Sequence, residues 1–141
     1  MTRVDFYFNA SDRFEVITRL LSKAVSRGFH ILVYTQDDVR LQKIDHYLWH
    51  NPLLSFLPHV RSEHPLAGKT PIVIGSDPGF VTKPDIIINL DDQIPDCFSR
   101  FTRLLEVVTE DKDDRDSSRE RFRFFKQRGY VVNSHDLKAV K

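Results

Sequence analysis

Cysteine is nearly absent from these 141 residues: Cys97 stands alone, so no disulfide can form within the chain, and a reducing compartment suits it. Glycine is scarce, with five residues, and none lies in "NASDRF" after the first apolar run, where a dinucleotide-binding fingerprint would need three. An excess of one charge is missing too. Lys and Arg total 21 against 20 Asp and Glu, a formal charge of +1, which argues against a surface that grips duplex DNA by broad phosphate neutralisation. Any cationic site must therefore be local. No apolar run approaches the roughly 20 residues that span a bilayer. The start, "MTRVDFYFNASDRF", does not read as a secretory signal. With 40% hydrophobic residues the chain can bury a core, and the expectation is one cytoplasmic domain over residues 1–141 that has no contact with a membrane.

What is present alternates between two periodicities. "VDFYFN" sets Val4, Phe6 and Phe8 against Asp5 and Tyr7, as a strand does. Ser11 or Asp12 can then cap a helix carrying Phe14, Ile17, Leu21 and Ala24 or Val25, stopped by Gly28. "FHILVYT" reads as a second strand, and "DDVRLQKIDHYLWHN" as a helix with Leu41, Ile44 and Leu48 on one stripe. "TPIVIGS" and "PDIIINL" are compact apolar runs suited to strands buried on both faces. "IPDCFSRFTRLLEVV" spaces Phe98, Phe101, Leu104 or Leu105, and Val108 as an amphipathic helix, and "YVVNS" can close an edge. This alternation specifies an α/β fold: a Rossmann-like open, mostly parallel sheet flanked by helices, with no nucleotide-binding loop.

The chemistry that such a sheet invites is mostly missing. "AGKTP", Ala67 to Pro71, copies the end of a P-loop, but position 63 is Glu and the segment leads into a strand rather than a helix. His46 and His50 sit four apart, with His59 and His64 downstream. Tyr47 replaces a general-base Glu, and the histidines suit the carbonyl end of a helix better than a metal. Asp91 and Asp92 follow "IIINL", where α/β enzymes place acids, yet capping or turn formation accounts for them. No nucleophile has a visible base. Neither catalysis nor a cofactor or metal is expected.

Two stretches remain. "LWHNPLLSFLPH" crowds Leu48, Trp49, Leu53, Leu54, Phe56 and Leu57 into a segment broken by prolines, which either closes the core or leaves an apolar patch for a partner. "RERFRFFKQRG", Arg119 to Gly129, carries five cations and three phenylalanines with one carboxylate. On a helix, Arg115, Arg119, Arg123 and Lys126 share one face, with Phe122 at its edge and Phe125 further round. Such a face is either solvated beside the acidic stretch Glu110–Asp116 or free to take an acidic ligand, with Phe122 as an apolar floor.

The ordered set "VDFYF", "KIDHYLWHNPLLSFLPH", "PIVI…DIIINL" and "RERFRFFKQRGY" resembles the chi subunit of bacterial DNA polymerase III, over essentially the whole chain. The resemblance implies a Rossmann-like fold without catalysis, bridging two partners and having little or no direct contact with nucleic acid. One partner is the psi subunit of the clamp loader, met by residues at the positions of Trp49 and Phe56. The other is the acidic, Phe-ending C-terminal tail of single-stranded DNA-binding protein, met at Val108, Arg115, Arg119, Phe122 and Arg123. Phe122 stands where a Tyr is familiar, and Arg115 and Arg123 where Lys is, which keeps the charge and alters the hydrogen bonds. Two other readings stay open: an α/β enzyme acting on a nucleotide or phosphorylated substrate near Asp91 and Asp92, and direct binding of single strands by the Arg/Phe helix.

Overall fold

The computed structural model of the chain describes residues 1–51, 58–81 and 83–138. Its strands are β1 (Arg3–Ala10), β2 (Ile31–Tyr34), β3 (His59–Arg61), β4 (Ile72–Gly75), β5 (Ile86–Asn89), β6 (Arg103–Thr109) and β7 (Val132–Asp136). The helices among the described residues are α1 (Arg13–Ser26), α2 (Asp38–His50) and α3 (Lys112–Gln127). Every residue of β2, β4 and β5 is buried, so each of these strands needs cover on both faces. The sheet provides that by running in the order β3-β4-β2-β5-β6-β1-β7, with every neighbouring pair parallel.

Side chains alternate across the sheet. Ile31 and Val33 of β2 pack with Ile17 and Leu21 of α1 and Ile44 and Leu48 of α2. Leu32 and Tyr34 point the other way and join Val4, Phe6, Leu104 and Phe125 of α3. Each such aliphatic or aromatic side chain contributes roughly 1.5–3 kcal/mol when fully buried, so a slip of one residue in any central strand would be prohibitive.

Local chemistry sets the helix ends. Asp12 accepts from the amides of Phe14 and Glu15, Asp37 from those of Val39 and Arg40, and Asp111 from that of Asp114. Gly28 and Gly129, at φ of +81° and +82°, carry the chain out of α1 and α3 in the left-handed region that other residues avoid.

One expected element is wrong. Residues 94–108 do not form a helix: a 3-10 turn at Phe98–Arg100 leads into β6, which lies between β5 and β1. Leu104 to Val108 are all buried. A strand covered on both faces is apolar at nearly every position, so positions three and four apart are apolar by default and mimic a helical stripe. Cys97 accordingly sits at the start of that turn rather than on a long helix.

Candidate functional site

Helix α3 is held to the sheet by a buried polar cluster. Ser118, Arg121 and Phe125 face inward. The Arg121 Nε lies 3.1 Å from Glu106 Oε2, Asn89 Nδ2 donates to the same oxygen at 3.2 Å, and Arg121 Nη1 reaches the Asp92 carbonyl at 2.7 Å and Ser117 Oγ at 2.6 Å. Burial pushes the Glu106 carboxyl up to about 7, while Arg121 and Asn89 hold it from rising further. A charge pair this deep fixes position more than it adds stability, because desolvation offsets the attraction.

With that face pinned, the flank of α3 that carries Arg115, Arg119 and Phe122 overhangs β1 and β7. Between them is a hollow of about 360 Å³, lined by Phe6, Phe8 and Asn9 of β1, Val108 of β6, Ser134 of β7, and Arg115, Ser118, Arg119 and Phe122 of α3. Phe122 meets Phe6 edge-on at 5.2 Å between centroids, so the inner wall is aromatic. Asn9 adopts φ of +63° where the β1–β6 register shifts, and its Nδ2 donates to Asp136 at 2.9 Å, which shapes the outer end. Among the described residues no carboxylate lines the hollow.

Of the acids nearby, Asp136 is bonded to Asn9, Asp114 is engaged away from the hollow, and Asp116 makes only a weak contact with Arg119. Asp114 accepts from the Thr109 amide at 2.7 Å and pairs with Arg13 at 2.6 Å. Although burial opposes ionisation, these partners hold its carboxyl below the ordinary range. Arg119 has an exposed contact with Asp116 at 3.5 Å, a weak pair in water. Arg115 has no ion pair among the described residues, and Lys126 Nζ stands 5.9 Å from the Phe122 ring centre.

Comparison with known proteins decides the family. The family model described as "DNA polymerase III chi subunit, HolC" matches residues 1–133. The chain belongs to the DNA polymerase III chi subunit family. It is 31% identical to the DNA polymerase III subunit chi of Pseudomonas aeruginosa, covering 99% of this chain and 100% of that one. The Haemophilus influenzae subunit chi is 25% identical over 87% of this chain and 86% of its own, and that of Escherichia coli 22% over 85% and 82%.

Of the positions that the chi resemblance implied for tail binding, the fold brings Val108, Arg115, Arg119 and Phe122 together at the hollow; Arg123 is exposed and does not line it. Val108 arrives from a strand, not from the expected helix. Phe6, Phe8, Asn9 and Ser134 complete the hollow and were missed. The alternation of Phe6 and Phe8 put them on one face of β1, but only the sheet order shows which element covers that face. On the far side of the sheet Trp49 is 58% exposed, its ring 4.5 Å from that of His59; Phe56 lies outside the described residues.

At the carboxyl ends of the strands, where α/β enzymes place catalytic acids, several charged groups are bonded to one another. A larger hollow, about 630 Å³, opens at the carboxyl edge of the sheet and includes Arg13, Arg40, Asp92 and Asp114. Arg13 is paired with Asp114, and Arg40 lies 3.3 Å from Asp91 and 3.4 Å from Asp92. Asp91 accepts from the Thr35 hydroxyl at 2.6 Å and the Gln36 amide at 2.8 Å, so it ties the end of β5 to the β2–α2 connection rather than capping or closing a local turn. The turn bond there is accepted by Asn89 Oδ1 from the Asp91 amide at 2.9 Å. His50 Nδ1 lies 2.8 Å from the His46 carbonyl, as expected for a helix end. Among the described residues no three His, Cys, Asp or Glu side chains form a metal-binding group. None of the helices among them is long and apolar enough to cross a membrane.

Proposed function

We propose that the chain is a non-catalytic adaptor of the DNA polymerase III clamp loader. It links the psi subunit to the acidic C-terminal tail of single-stranded DNA-binding protein at the cytoplasmic replication fork. The observation that carries this reading is the hollow under α3: an aromatic cavity whose mouth bears Arg115 and Arg119 and whose lining holds no acid among the described residues. A carboxylate-bearing chain end would pair with those guanidiniums, and its terminal Phe would pack between Val108, Phe6 and Phe122. Arg123 adds charge from the adjoining surface rather than from the cavity. Psi is assigned to the separate face around Trp49, where a large exposed ring offers the kind of anchor that protein interfaces use.

Titration of a synthetic acidic peptide, with and without its terminal Phe, tests the assignment. Binding is expected to be weak, to fall with salt because exposed ion pairs are screened, and to require the Phe. Equal affinity of the two peptides would refute the cavity's role. The competing enzyme reading is disfavoured because two of the three cations lining the larger hollow, Arg13 and Arg40, are already paired with Asp114, Asp91 and Asp92, Lys43 being the third.

A further inference from the structure

Strand β7 ends the sheet, and no described strand pairs with its outer side. The Val4 amide donates to the Val131 carbonyl at 2.9 Å and the Leu137 amide to the Phe8 carbonyl at 3.0 Å, in a register that sets Val4 against Val132 and Phe6 against Ser134. In a parallel ladder this turns the amide and carbonyl groups of Asn133 and His135 toward β1 and those of Val132 and Ser134 outward. Natural edges are usually blunted by Lys, Pro, a bulge or short length. The opposite edge, β3, has three residues and includes Arg61, whereas β7, "VNSHD", has five and carries neither Lys nor Pro. Ser134 belongs at once to this open edge and to the lining of the hollow.

We infer that the outer edge of β7 accepts an extended acidic peptide as an eighth strand, parallel to the rest, while the end of that peptide occupies the hollow. The inference rests on the reading of the hollow as an acidic-tail site and adds how the upstream backbone is held. Charge sets the direction. Beyond the carboxyl end of β7 lies the start of α3, where Glu110 pairs with Lys138 and Asp116 with Arg119, and exposed Asp111 and Asp113 are left to repel an acidic chain. At the amino end, Val132 pairs with Val4 beside the exposed Arg3, and α3 closes with exposed Lys126 and Arg128. A peptide with its C-terminus at Arg115 and Arg119 and its upstream acids near Arg3, Lys126 and Arg128 runs in the same sense as β7. Strand addition of this kind draws affinity from main-chain hydrogen bonds and so tolerates variation in the upstream side chains.

The test uses the full chain and a synthetic acidic peptide ending in Phe, alongside peptides N-methylated at single backbone positions. Amide exchange at Val132 and Ser134 is expected to slow roughly tenfold or more when peptide binds, while Asn133 and His135, already bonded to β1, change little. N-methylation at alternate upstream positions is expected to weaken binding roughly tenfold, and at the intervening ones hardly at all. Retained, Phe-dependent binding with neither alternation nor protection overturns the strand addition and leaves the hollow's role intact. Loss of all peptide binding overturns both. Protection of Val132 and Ser134 without peptide, growing with protein concentration, would assign the edge to a second copy of the chain and overturn the inference as well.

Discussion

The guanidinium of Arg121 and the carboxylate of Glu106 lie 3.1 Å apart with side-chain exposures of 7% and 2%, and this pair sets the rotation of α3 on the sheet. Because Arg121 is consumed below the helix, the cations left at the hollow are Arg115 and Arg119. Truncation of Arg121 to Ala would strand a buried carboxylate, at about 3–5 kcal/mol. Thermal denaturation of Arg121→Ala is expected to show a fall in melting temperature on the order of 10 °C. An unchanged midpoint would remove this pair from any anchoring role.

The same carboxylate gives stability a pH dependence of definite sign. Its folded value, about 7, lies above the ordinary 4.5, so the folded state holds the proton more tightly than the unfolded state. That contribution is complete below the unfolded value and is lost as pH rises through the folded one. At the acid end, Asp5 and Asp114 act oppositely. Burial works against the ionised form of Asp5, but hydrogen bonds from His135 and Arg103 more than offset it, and both carboxyls sit below 3.8 when folded. Their stabilisation is present above the unfolded value and disappears as pH falls. Denaturant unfolding across pH should therefore place maximum stability on the acidic side of neutral. Glu106→Gln should flatten the decline between about pH 5 and 7; a decline of the same slope in this variant would assign it to other groups.

Arg115→Ala and Arg119→Ala should each weaken binding of the acidic peptide by roughly two- to fivefold at low salt, the range of exposed ion pairs. The effect should shrink as salt rises, since screening weakens the wild-type contacts as well. Calorimetric titration at two ionic strengths measures both. Arg123→Ala, outside the hollow, should have the smaller effect of the three.

Phe122→Ala should remove most of the peptide's dependence on its terminal Phe, because the ring forms the wall against Phe6. Phe122→Tyr keeps that wall and should retain it. If the alanine variant, shown to be folded, still distinguishes peptides with and without the Phe, the ring is not the binding wall.

Trp49→Ala should weaken association with psi and leave acidic-peptide affinity unchanged, while Arg119→Ala should weaken peptide binding by the same roughly two- to fivefold factor and spare psi. Co-purification with psi and peptide titration of both variants provide the comparison. A folded variant that loses both activities would contradict separate faces.

How much of this was legible beforehand depends on where each signal lies. A cap at Ser11 or Asp12, the stop at Gly28, the strands of β1, β2, β4 and β5 and the edge position of β7 could all be read, because each reflects chemistry within a few neighbouring residues. β6 could not, since double-sided burial erases the difference between the two periodicities. In the site, Arg115, Arg119 and Phe122 were visible as one helix face, whereas Phe6, Phe8, Asn9 and Ser134 come from segments more than a hundred residues apart in part, and no local pattern joins them.

The sequence by itself determined an α/β chain and a helix with more cationic charge on one face than its own acids cancel; these follow from periodicity, capping and composition, which act over a turn or two. Tertiary structure alone decided which cations remain available. Packing buried Arg121 against Glu106 and tied Asp114 to Arg13, while parallel pairing of β1 with both β6 and β7 laid an aromatic wall beneath Arg115 and Arg119. Charge is written in one dimension, but its compensation depends on distances that only the folded chain fixes.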